Sequence, residues 1–131
     1  PAHEPLPARL LGIHEAVSEL IARHRPDAVA IEDIFYAKNV RTTVVLGHAR
    51  GVAMLAAEQA GVAVHEYPPA TVKKSVCGTG NATKLQVQFM VTQLLRLKKA
   101  PEPVDAADGV AAALAHLMGV HLERVAQAGR R

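Results

Sequence analysis

Apolar residues at Leu6, Leu10, Ile13, Val17, Leu20 and Ile21 recur every three or four positions, the spacing that lines one face of an α-helix. Arg25-Pro26-Asp27 should end that helix, because proline disfavours helical geometry in the residue before it. Residues 28–32 then read Ala-Val-Ala-Ile-Glu, apolar until the last position, as expected of a parallel strand covered on both faces. Residues 33–39 are expected to form the loop at its carboxyl end. Val40 to Ala60 has the length and composition of a long helix, stopped by Gly61. A second short strand is expected at 62–66, bounded by Pro68-Pro69. A short helix follows at 71–77, a turn at Gly78-Thr79-Gly80-Asn81, and an amphipathic helix from Thr83 to Leu97 that carries Leu85, Phe89, Leu94 and Leu97. After Pro101 and Pro103 a last helix runs from about Asp105 to Met118, leaving about 120–131 as a flexible tail.

Helices alternating with strands imply an α/β layered domain with right-handed crossovers and four to five helices. Two strands are few for a stable sheet, so further central strands are expected before Pro1, which stands where an initiator Met would be. At 131 residues the chain supports one domain, 1–131, and its 50% apolar content fills a core with Ala, Val and Leu rather than aromatic bulk. The formal net charge of +3 permits an anionic partner such as nucleic acid without requiring one. A single Cys77 excludes an internal disulfide framework and suits a reducing cytoplasm. No apolar run is long and charge-free enough to span a bilayer, so no membrane role is expected.

Ligands of open α/β sheets gather beyond the carboxyl ends of the strands, where Glu32 is expected. Asp105 and Asp108 are three apart and share a helix face near its amino end, where the helix dipole stabilises negative charge. Three such carboxylates suit a hard divalent cation that takes oxygen ligands, although a solvated strand end and a capped helix explain the same spacing. Lys73, Lys74 and Lys84 bracket the Gly78-Thr79-Gly80 turn, and with Lys38 and Arg41 they are candidate phosphate contacts; lysines that merely solubilise helix ends are the alternative. Phe35 and Tyr36 follow Glu32 closely, and an exposed ring there would stack on a base, whereas a buried one would only pack. The seven histidines are dispersed without metal-motif flanks, so His14, His48 and His116 are read as surface or packing residues. Cys77 is read as a small buried apolar residue.

Four blocks taken together are more specific: Ala30-Ile31-Glu32-Asp33-Ile34-Phe35-Tyr36-Ala37-Lys38-Asn39, Leu46-Gly47-His48-Ala49-Arg50-Gly51-Val52, Tyr67-Pro68-Pro69-Ala70-Thr71-Val72-Lys73 and Asp105-Ala106-Ala107-Asp108-Gly109-Val110-Ala111. In order and spacing they resemble the RuvC family of bacterial Holliday-junction resolvases, over nearly the whole chain. The resemblance implies a ribonuclease-H-like fold, here incomplete, and symmetric, Mg2+-dependent nicking of four-way junction DNA in recombination and repair. It implies two Mg2+ ions, with Mn2+ able to substitute, a homodimer formed through the helix of Gly47 to Gly51, and the branch-migration partners RuvA and RuvB. Glu32, Asp105 and Asp108 match three of the family's four acidic metal ligands. The fourth, an Asp on the family's first strand, has no match here, which leaves a non-catalytic junction-binding fragment as the alternative reading. The resemblance assigns Lys73 and Lys84 to DNA binding and makes Phe35 the base-stacking residue. A small-molecule-binding α/β domain is a third reading, with a pocket in place of a basic groove.

Overall fold

Each helix of the computed structural model begins and ends where local chemistry satisfies its free backbone groups. The structure describes residues 3–33 and 39–130. The elements run α1 (Leu6–His24), β1 (Ala28–Glu32), α2 (Val40–Gln59), β2 (Ala63–Tyr67), α3 (Pro69–Cys77), α4 (Lys84–Leu94) and α5 (Val104–Ala128). Pro7 lies in the first turn of α1, where a missing N–H costs nothing. Arg25 closes that helix in the left-handed region at φ 45° and donates its N–H to Ile21 O at 2.8 Å. Asn39 caps α2 by accepting from the Arg41 N–H at 2.9 Å. Gly61, at φ 72°, provides the reversal after α2, and Val62 N–H reaches back to Ala57 O at 3.0 Å. Thr83 and Gln86 form a reciprocal capping box at the start of α4, with bonds of 3.2 and 2.8 Å.

β1 and β2 pair as a two-stranded parallel sheet. The chain divides into two compact units, residues 1–29 with 34–65 and residues 30–33 with 66–131. In the first, α1 packs on α2, and the His14 ring pairs with Gln59 Oε1 at 2.6 Å. In the second, α3, α4 and α5 pack pairwise. Val72 and Val76 from α3, Val87 and Val91 from α4, and Ala111, Ala112 and Ala115 from α5 make its core, joined by Ala82. The valines sit four apart in each helix and the alanines of α5 continue from Ala107, so small stripes at helical spacing meet and the backbones approach closely. Val87 and Val91, 2% and 0% exposed, each contribute about 1.5–3 kcal/mol by burial.

Several expected boundaries shift. β2 lies one residue later than 62–66, α3 starts at Pro69 rather than Thr71, and α4 stops at Leu94 rather than Leu97. The last helix does not end near Met118: α5 continues to Ala128, with residues 121–128 exposed. In α4 the large apolar residues do not define the buried face, since Leu85 and Phe89 are 68% and 61% exposed. Two positions on a helix rotate by about 200°, so burying Val87 and Val91 turns Leu85 and Phe89 to the opposite side. The alanine stripe of α5 accommodates valines better than a phenylalanine.

Candidate metal and nucleic-acid site

The site belongs to the second unit and is built where a strand end, two helix starts and one short helix supply charge. Glu32 is the last residue of β1 and is half-buried. The next residue, Asp33, donates its N–H to Tyr67 O at 2.7 Å, which holds the end of β1 to the end of β2. The Tyr67 hydroxyl in turn pairs with His116 Nδ1 on α5, ring centroids 5.9 Å apart at an edge-on angle. Tyr67 therefore links the strand ends, through its backbone carbonyl, to the helix that carries Asp105 and Asp108, through its hydroxyl. His116, expected from the sequence to be a surface or packing residue, thus has a specific partner, and that partner, 49 positions away, carries no local signal.

Asp105 lies in the first turn of α5 and Asp108 one turn on. Lys84 is the first residue of α4, and its Nζ donates to Asp105 Oδ1 at 2.9 Å and sits 3.8 Å from Asp108 Oδ2. This pairing, first through the hydrogen bond to Asp105 and then through the charges of Asp105, Asp108 and Glu32, raises the Lys84 pKa and keeps the ammonium protonated. Burial, and then the neighbouring Asp108 charge, push the Glu32 carboxyl above the usual carboxylate range, while Lys73 and Lys84 pull it back. Glu32, Asp108, Lys73 and Lys84 thus feel one another. Asp105 is turned to Lys84, with its side chain 78% exposed.

All donors here are carboxylate oxygens, the set that hard divalent cations prefer. Among the described residues, however, no three His, Cys, Asp or Glu side chains stand together as a ready metal cage. The donor chemistry fits a metal, with part of the carboxylate charge already neutralised by lysine.

The other expected residues divide. Lys74 lies exposed in the last turn of α3. Arg41 belongs to the first unit, exposed at the start of α2. Phe35, Tyr36 and Lys38 lie outside the described residues. Gly78 ends α3 at φ 82°, a backbone conformation that favours glycine, whereas a Cβ on Gly80 would only make contact with Ala70 at 3.4 Å. Cys77 is partly rather than fully buried, and burial raises its thiol pKa, which disfavours a nucleophilic role.

An α/β layer that carries carboxylates and lysines at a strand end and an adjoining helix start defines a nuclease of the ribonuclease-H-like class. The family model for Crossover junction endodeoxyribonuclease RuvC matches residues 2–116. A RuvC of Chloroflexus aurantiacus is 49% identical over 116 residues, 88% of this chain and 71% of that protein. A RuvC of Koribacter versatilis is 48% identical over 88% of this chain and 70% of that protein. Among solved structures, Thermus thermophilus RuvC superposes with a TM-score of 0.84 at 38% identity, covering 94% of this chain and 74% of that one. The same protein in complex with Holliday junction substrate gives 0.87. The chain belongs to the RuvC family, whose members are metal-dependent nucleases. Among its described residues no helix is long and apolar enough to cross a membrane.

Proposed function

We propose that this protein resolves four-way DNA junctions by divalent-metal-dependent hydrolysis of phosphodiester bonds, with residues 1–131 acting as one resolvase domain. The observation that carries the reading is the electrostatic meeting of Glu32 with Asp108 beside Lys84 and Asp105, at the positions matching the family's acidic residues. Glu32, Asp105 and Asp108 would hold Mg2+, as a two-ion site in which Mn2+ substitutes. When bound, the metal activates water and stabilises the leaving oxygen. The chain's own part is to fix the carboxylates on β1 and α5 and to offer cations to the phosphates through Lys73, Lys74 and Lys84, with Lys38 and Arg41 extending the contact. Phe35 would stack on a base at the junction centre.

Paired incision requires two sites related by a two-fold axis, which favours a homodimer. Val40 and Val44 on α2 are 77% and 51% exposed, and a Cβ on Gly51, on the same side of the helix, would meet nothing within 4 Å, so this helix offers an apolar face and close approach to a second copy. A resolvase of this kind acts in the bacterial cytoplasm alongside RuvA and RuvB.

The test incubates the full-length protein with a four-way junction and with a linear duplex of matching sequence, in Mg2+ and in EDTA. Paired nicks confined to the junction and to Mg2+ are expected. Junction binding without Mg2+-dependent cleavage would establish the non-catalytic scaffold reading instead.

A further inference from the structure

We propose that Lys84 is the resident counter-ion of the carboxylate site, occupying Asp105 and Asp108 until a divalent cation displaces it and frees its ammonium for a phosphate. The inference rests on the proposed function and adds a role for one residue in how the site loads. Its first support is geometric: one ammonium serves both helix carboxylates, at 2.9 Å and 3.8 Å. The second is that no three-ligand group stands assembled among the described residues, and Asp105 is directed to the lysine. A cation drawing on these oxygens would place two positive charges against a third at contact distance, so the ammonium must leave.

Position makes the departure feasible and consequential. The Lys84 side chain is 65% exposed on a flexible four-carbon stem, so it can swing without repacking the core. Lys84 is also the first residue of α4, at the positive end of the helix dipole, where lysine is disfavoured unless carboxylates compensate. Once a metal takes those carboxylates, the ammonium is left uncompensated beside the site, and the nearest suitable anion is the substrate backbone. Metal loading therefore converts a carboxylate partner into a phosphate partner.

The test measures Mn2+ affinity of the full-length protein without DNA, by electron paramagnetic resonance of free Mn2+, for wild type, Lys84→Gln, Lys73→Gln and Asp108→Asn. Lys73 acts on Glu32 by charge and controls for a general electrostatic effect. Lys84→Gln is expected to tighten Mn2+ binding about twofold to fivefold, the worth of one partly exposed ion pair, and more than Lys73→Gln does. Equal tightening by the two variants, or none by Lys84→Gln, overturns the counter-ion role. Unchanged affinity in Asp108→Asn overturns the ligand set of the proposed function instead, so the two failures are distinguishable. As a second reading, the loss of junction affinity caused by Lys84→Gln should be greater in Ca2+ than in EDTA. An equal loss in both would show that metal does not release the side chain.

Discussion

Asp108→Asn separates a residue that serves chemistry from one that serves the fold. The Asp108 side chain is 27% exposed and 3.8 Å from Lys84 Nζ. At that distance the attraction is about 1 kcal/mol in bulk water and about 4 kcal/mol at an effective dielectric of 20. The low figure applies, because Lys84 is 65% exposed and keeps its 2.9 Å bond to Asp105 when Asp108 is neutralised. Against this loss stands a gain, since the Asp108 charge disfavours the ionised form of Glu32. The opposed effects leave stability within about 1 kcal/mol of wild type in metal-free buffer. Hydrolysis should fall at least about a hundredfold, since even groups that only orient metal ligands are worth 10–100-fold. Urea unfolding followed by circular dichroism gives the first quantity, and nicking of a labelled junction in Mg2+ gives the second. A stability loss above about 2 kcal/mol would make Asp108 structural, and nicking within tenfold of wild type would remove it from the metal site.

Glu32→Gln should change the pH dependence of stability. The folded pKa of Glu32 is raised, so its contribution is fully present below the unfolded value, about 4.3, and is lost as pH rises through the folded one; the variant should therefore gain on wild type from about pH 4 upward and plateau once pH exceeds the folded value, and a constant difference from pH 3.5 to 7.5 would refute this. Val91→Ala removes two buried carbons from a fully buried position and should cost about 2–3 kcal/mol in urea unfolding, whereas under 1 kcal/mol would show that the core collapses around the gap. Lys73→Ala should weaken junction binding and lower the slope of log affinity against log salt by about 1. Arg23→Ala, whose guanidinium pairs with Glu19 at 2.6 Å on α1, should leave that slope unchanged.

The features legible in the chain alone are mostly local. Pro26, Gly61, Gly78 and Thr83 punctuate the chain through backbone geometry that acts within one turn, so the order of elements and the bounds of β1 were legible without coordinates. The four family blocks, each a run of adjacent residues, were legible for the same reason. The buried face of α4 was not, because Leu85 and Phe89 repeat at the same spacing as Val87 and Val91, and only the alanine stripe of α5 selects between them. Nor does helical periodicity reveal that Lys84 occupies Asp105, 21 positions away, or that Tyr67 reaches His116. Periodicity and capping are decided by near neighbours, but which charge meets which depends on how the helices pack, and that is settled only when the whole core closes.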